Sequence, residues 1–372
     1  MPYKVVISHQ SDYEYSSLKT KVHLLMDALT DGHFSAGQRV LIKPNLLAPA
    51  RPEKAMLTHP LFLKAVVEYL VERDMRVTIS DSPAMGGFKR VIKEGGFLEA
   101  LKGLPVKLRE FEETTKVDIG RPFGEVEIAR DVFEVDHVIN LPKLKTHSQM
   151  LLTLGVKNLF GTVVGVEKPK WHFRAGVDRD RFAELLYLIA KKIAPVLTLI
   201  DGVLAMEGDG PGKSGIPRKL GVLVGGSHPV GVDVVVCRML NLKPERLLTN
   251  QAAFRDGFNE EDIELFGELP VIDDFKLPAL GPIVFGPKKM QPFLRKHLVE
   301  RPSVIPTKCK QCGECWSYCP VNAIKKAEVS VAFDYETCIR CYCCVEVCPH
   351  GALKVKEPLT GRVVRKLMNI KR

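Results

Sequence analysis

Short apolar segments alternate with amphipathic stretches over the first three hundred residues. Val5-Val6-Ile7, Val40-Leu41-Ile42, Met75–Ser80, Val138-Ile139-Asn140, Val196–Ile200 and Gly221–Val224 have the length and content of buried strands. Between them, apolar side chains recur at helical spacing. Leu18, Val22, Leu25, Met26 and Leu29 share one face of a helix over Ser16–Leu29. Further helices are predicted at Pro60–Glu72, where Pro60 suits a first turn, and at Arg181–Lys192, Val230–Leu240 and Pro244–Arg255. This alternation predicts an α/β fold with a mostly parallel sheet and helices on both faces. No apolar run approaches the roughly 18 residues of a membrane span. The opening Met1–Ile7 reads as a first strand rather than a targeting segment.

Polar residues gather where these strands end. Lys43-Pro44-Asn45 follows Ile42, and Asp81-Ser82-Pro83 follows Ser80. Pro142-Lys143-Leu144-Lys145-Thr146-His147 comes soon after Asn140, Asp201-Gly202 follows Ile200, and Gly225-Gly226-Ser227-His228 follows Val224. Ligands of open α/β sheets sit at such carboxyl ends. Alternate residues of an extended segment point the same way, so Lys143, Lys145 and His147 are expected on one face. Two ammonium groups and an imidazole there suit a phosphate or carboxylate, with Lys43, Asn45, Lys157 and Asn158 joining them. Asp81, Asp201 and Glu207 are the candidate proton carriers. Gly210-Pro211-Gly212-Lys213-Ser214-Gly215 fits a dinucleotide fingerprint in letters only, because Ile216-Pro217 follows where a helix should begin. A phosphate-cradling loop ending in Gly212-Lys213-Ser214 would need glycine at 207, where Glu207 stands.

Cysteine placement changes the picture. Nine of the ten cysteines fall between residues 309 and 348. Cys309, Cys312, Cys315 and Cys319 precede Pro320, and Cys338, Cys341, Cys344 and Cys348 precede Pro349. Both runs have the spacing of bacterial two-cluster ferredoxins, in which the fourth cysteine ligates the other cluster. Two [4Fe–4S] clusters are therefore expected, one on Cys309, Cys312, Cys315 and Cys348, the other on Cys338, Cys341, Cys344 and Cys319. Zinc sites favour separated cysteine pairs, and disulfide frameworks suit small secreted chains. Trp316 and Tyr342 are placed to screen a cluster from water. Cys343 breaks the repeat, standing where the first run has Glu314; it is an accommodated extra cysteine, or else a redox-sensing thiol. Cys237, in an apolar run, reads as a buried inert thiol.

The 372 residues divide into an α/β ligand-binding domain at 1–298, a small α+β ferredoxin-like domain at 299–358 and a basic tail at 359–372, with Pro282–Pro306 as connector. The net charge of +10 is dispersed, and no helix-turn-helix or aromatic–basic RNA motif accompanies it. Nucleic acid is not an expected partner; anionic small molecules and a redox partner protein, a ferredoxin or a reductase, are. Oxygen-sensitive clusters point to an anaerobic, reducing cytoplasm.

Taken in order, several of these segments resemble an uncharacterised family, the domain of unknown function numbered 362. They are Lys43-Pro44-Asn45, Ser80-Asp81-Ser82-Pro83, Pro142–His147, Val156-Lys157-Asn158-Leu159-Phe160-Gly161, Trp171-His172, and Asp201-Gly202 with Met206–Pro211. The resemblance implies the fold and a fused ferredoxin module, and adds His172 to the substrate-binding candidates. It implies no reaction. Where the family pattern has an aspartate before Pro229, this chain has His228. The function expected is that of a ferredoxin-type reductase acting on a small phosphate- or carboxylate-bearing substrate. The alternative is a non-enzymatic electron carrier, or a maturation or assembly factor that docks to a partner protein.

Overall fold

Alternation along the central strands builds two cores on one sheet. A computed structural model describes residues 2–30, 34–165, 167–175, 178–278 and 297–361. Most of the expected connector and nearly all of the basic tail lie outside these residues. The strands are β1 (Tyr3–His9), β2 (Arg39–Pro44), β3 (Arg76–Asp81), β4 (Lys107–Glu110), β5 (Thr114–Asp118), β6 (Glu125–Ala129), β7 (His137–Leu141), β8 (Lys143–His147), β9 (Leu151–Thr153), β10 (Leu197–Gly208), β11 (Gly215–Gly226) and β12 (Ile263–Phe266). The main sheet runs β12-β1-β11-β10-β7-β2-β3-β4, with β8 branching from β10 and β9 from β8; β5 and β6 form a separate hairpin. Within the main sheet, pairing is parallel except for β1–β11, β10–β11 and β8–β9.

The helices are α1 (Tyr15–Thr30), α2 (Pro60–Val71), α3 (Phe88–Glu94), α4 (Phe97–Ala100), α5 (Gly155–Asn158), α6 (Glu167–Ala175), α7 (Arg179–Ile193), α8 (Pro229–Met239) and α9 (Leu248–Arg255). In β2, Val40 and Ile42 pack with Leu25 of α1 and Phe62 of α2. Leu41, pointing the other way, joins Val138 of β7, Phe182 and Ile189 of α7 and Ala253 of α9. Burying each such apolar side chain contributes on the order of 2 kcal/mol. The expected helix from Pro244 is shorter: a 3-10 turn ends at Arg246, extended Leu247 intervenes, and α9 begins at Leu248.

His228, the departure from the family pattern, is the N-cap of α8. Its Nδ1 accepts from Val230 N at 3.3 Å. Burial lowers its pKa to about 4, so the ring stays neutral and keeps an acceptor for the helix end. An imidazole thus takes the capping position that an aspartate carboxylate fills well.

The C-terminal module folds from two antiparallel pairs, β13 (Arg301–Val304) with β16 (Leu353–Lys356), and β14 (Ile324–Lys326) with β15 (Val331–Phe333). One-turn helices at Glu314–Ser317 and Cys343–Val347 carry the third cysteine of each run. The glycine-rich loop after β10 is its seat, not a nucleotide cradle. Ser214 Oγ donates to Leu353 O at 3.4 Å. A side chain on Gly212 would come within 2.9 Å of Glu346 O, so only glycine lets the two backbones meet. Replacing Gly212 with Ala should therefore cost about 1–3 kcal/mol of stability, read from denaturant unfolding. An unchanged midpoint would mean that the loop does not bear the module.

Candidate functional site

The cleft grows from the ends of β2, β3 and β8. Lys43, last but one in β2, is buried, and its Nζ sits 2.8 Å from Asp81 Oδ1 and donates to Pro44 O at 2.9 Å. Burial lowers the Lys43 pKa, and the Asp81 charge opposes that. Asp81 also accepts from Leu46 N and Ser82 N, each at 2.8 Å, so the carboxylate is held on every side. Gly161 lies directly on this ion pair: a Cβ there would collide with both Lys43 Nζ and Asp81 Oδ1.

A line of amides runs from this pair. Lys145 Nζ donates to Asn45 Oδ1 at 2.6 Å, and Asn45 Nδ2 to Asn158 Oδ1 at 2.7 Å. Asn158 Nδ2 donates to Asn140 Oδ1 at 2.8 Å, and Asn140 Nδ2 to Gly155 O at 2.9 Å. Each donor meets an acceptor, so the chain fixes every amide's orientation. Asp233 of α8 anchors the far end, accepting from Gly155 N at 2.6 Å and Val156 N at 3.1 Å. Burial pushes its pKa up to about 7, while those two N–H groups pull it back. The short helix α5, which carries Lys157 and Asn158, is thereby pinned.

The cleft holds about 80 Å³ of space open to water-sized molecules. Lys43, Asn45, Asp81, Lys145, His147, Lys157, Asn158 and His172 line it, together with Ser82, Thr153 and Lys168. The cluster module closes it with Tyr318, Cys343 and Glu346. Burial, with Lys157 nearby, lowers Lys145 to about 7, and burial lowers Lys168 to about 8. Lys168 donates to Ser82 O. Among the described residues, no acceptor meets the Lys157 ammonium, whose pKa burial also lowers. His172 Nδ1 and Thr153 Oγ1 are buried and likewise unpartnered.

His147 bridges the two domains. Its Nδ1 accepts from Gln149 N and Met150 N, both at 3.1 Å, so a neutral ring must carry its proton on Nε2. Nε2 lies 3.0 Å from Glu346 Oε1. Burial holds the His147 pKa at about 4. Burial also works against the Glu346 charge, but His147, Lys157 and His172 outweigh it and hold that pKa at about 2. A neutral imidazole thus faces a carboxylate.

Three expected members lie elsewhere. Lys143 Nζ pairs with Asp201 Oδ2 at 2.8 Å, and Asp201 also accepts from Tyr13 Oη at 2.6 Å and His59 N at 2.8 Å. The reason is register: β8 leaves β10 with Lys143 opposite Asp201, so the pair closes at the branch before the strand reaches the cleft. Glu207 accepts from Lys276 N at 3.2 Å, at the far end of β10. Sequence reasoning missed Lys168, Thr153 and Glu346. Lys168 sits in a charged helix with no distinguishing spacing, whereas Glu346, a carboxylate inside a cluster loop, was a usable signal.

The cysteines converge as two sets. Cys309, Cys312, Cys315 and Cys348 line one cavity, walled by Trp316 and Val331. Cys319 lies within electrostatic reach of Cys338 and Cys341, and Cys344 of all three. Ala323 N donates to Cys319 Sγ at 3.3 Å, and Ala352 N to Cys348 Sγ at 3.2 Å, equivalent bonds in the two halves. Convergent thiols with N–H donors at sulfur fit [4Fe–4S] clusters.

Comparison with known proteins gives the family of each part of the chain. Residues 40–238 match the family described as a domain of unknown function, DUF362, and residues 308–352 match the 4Fe-4S dicluster domain. A thylakoid-associated protein of Synechocystis sp. is 37% identical over 305 residues, covering 80% of this chain and 95% of that one. The pyruvate synthase subunit PorD of Thermotoga maritima is 37% identical over 59 residues, 16% of this chain and 60% of its own length. The lactate racemase apoprotein from Thermoanaerobacterium thermosaccharolyticum aligns with a TM-score of 0.39 at 12% identity, covering 68% of this chain and 56% of that one. The C-terminal module is a ferredoxin-type 4Fe–4S domain with an electron-transfer role. Among the described residues, no helix is long and apolar enough to cross a membrane.

If His147 and Glu346 seat the module, a double-mutant cycle of His147→Ala and Glu346→Ala should return a coupling of about 1–3 kcal/mol in denaturant unfolding. Strictly additive losses would show that the two side chains merely lie near each other.

Proposed function

The chain belongs to the DUF362 family, and on that footing we propose that it is a ferredoxin-type reductase whose cleft holds a small phosphate- or carboxylate-bearing substrate against the cluster module. One observation carries this reading: Cys343 and Glu346 of the module line the same cleft as Lys145 and Lys157 of the α/β domain. A substrate there would touch both the anion-binding groups and the loop that holds a cluster.

When bound, two [4Fe–4S] clusters supply electrons one at a time. Lys157, with no competing acceptor among the described residues, meets the anion charge. Lys145 has two of its three N–H bonds committed to Asn45 and Met56 O, leaving one for the ligand. With a pKa near 7 it can also pass a proton. Thr153 Oγ1 and His172 Nδ1 supply further polar contacts. Asp81 stays tied to Lys43 and positions that ammonium rather than moving protons. A redox partner reaches the module at exposed Cys312, flanked by exposed Lys308 and Lys310. Oxygen-sensitive clusters set this work in a reducing, anaerobic cytoplasm.

Sulfate and acetate keep a fixed charge between pH 6.5 and 8.5 and so serve as probes. Both should raise the melting temperature of the anaerobically reconstituted protein, and Lys157→Ala should abolish the shift. Lys145 loses its charge as pH rises through about 7, so anion affinity should fall several-fold across that window. An anion response that is pH-independent and survives Lys157→Ala would remove the substrate site. Iron and acid-labile sulfide should each count about eight per chain.

A further inference from the structure

The two cysteine loops share one backbone but not one set of charges. Gln311 and Arg340 occupy equivalent positions, and both are left-handed, with φ of 51° and 62°. Gly313 and Tyr342 repeat the match, with φ of 99° and 58°. Side chains at matching positions therefore start from the same geometry. Gln311 is neutral and satisfied: its Nε2 donates to Ala327 O at 2.6 Å and Ser330 O at 3.1 Å. Arg340 is 0% exposed. Its Nη1 donates to Cys338 O at 3.4 Å, yet Nε and Nη2 have no partner among the described residues. The next differing pair is Glu314, exposed, against Cys343, buried. Cys343 lies within electrostatic reach of Cys341 and Cys344.

A guanidinium stays charged, and a buried charge without a counter-ion costs several kcal/mol. Among the described residues Arg340 meets the Tyr335 ring, at 5.2 Å, and no carboxylate; an iron–sulfur cube with four thiolates has the chemistry of the anion it lacks. We infer that Arg340 is the counter-charge of the cluster on Cys338, Cys341, Cys344 and Cys319, and that it raises the potential of that cluster above what its loop, which also carries the Glu346 carboxylate, would otherwise set. The inference rests on the two-cluster reading above. Positive charge and hydrogen-bond donors beside the sulfurs favour the reduced, more negative state. The other loop has the neutral Gln311 in that place, with Lys308, Lys310 and Glu314 exposed at its surface.

The test is a redox titration of the anaerobically reconstituted full chain, followed by electron paramagnetic resonance, with iron and sulfide counted in parallel. Wild type should give two midpoints. Arg340→Gln, which copies the other loop, should lower one midpoint and leave the other in place, and Arg340→Lys should restore most of the loss. Glu314→Gln alters only an exposed side chain of the other loop and should raise the midpoint that Arg340→Gln leaves in place. The assignment is overturned if Arg340→Gln moves neither midpoint or both, or if Glu314→Gln raises the midpoint that Arg340→Gln lowers. Should Arg340→Gln lose iron, Arg340→Lys decides: a smaller fall of one midpoint supports the assignment and no fall overturns it. Iron for a single cluster in the wild type would instead sink the two-cluster reading.

Discussion

Ammonium charge gathered in one cleft is the constraint on which the rest depends. Lys43, Lys145, Lys157 and Lys168 converge on one cleft, and burial lowers the pKa of each. Such charges cost several kcal/mol apiece unless something answers them. Asp81 answers Lys43, and carbonyl and amide oxygens take hydrogen bonds from Lys145 and Lys168. Among the described residues the Lys157 ammonium lies over the Phe160 ring, 5.8 Å from its centre, and faces the Glu346 carboxylate of the other domain at a distance. The α/β domain is thus electrostatically incomplete alone, and the ferredoxin module supplies what it lacks.

In the proposed function, that dependence ties binding to electron delivery. Glu346 and Cys343 lie on the one-turn helix that also carries Cys344. The groups that neutralise the cleft therefore move with the groups that hold iron. The amide line from Lys145 to Gly155 makes the opposite wall stiff, because reversing any one amide would set donor against donor. A cleft with one fixed wall and one wall built from a cluster loop fits a site where a small anion receives electrons.

Much of this was legible in the residues. The central strands and long helices followed from period-2 and helical spacing, because their apolar faces meet large cores. The hairpin β5–β6 and strand β4 were hidden, since charges on their open faces mask the alternation. Polar strand ends located the cleft, and the Lys145/His147 alternation placed both in it. The same rule misplaced Lys143, because alternation fixes a direction and not the partner waiting there. Asp201 and Glu207 lie outside the cleft for a related reason: a long hairpin spreads its polar residues over about 40 Å, and only register decides which end meets the cleft. Nothing local to α6 could reveal Lys168, whose position depends on how the helix packs back over Ser82.

The central claim is that an anion in the cleft lies beside a cluster. Electron–nuclear double resonance on the reduced protein with inorganic phosphate tests it most directly. The account predicts a phosphorus coupling to one of the two clusters, lost in Lys157→Ala. Saturating phosphate that gives no phosphorus coupling to either cluster would contradict it.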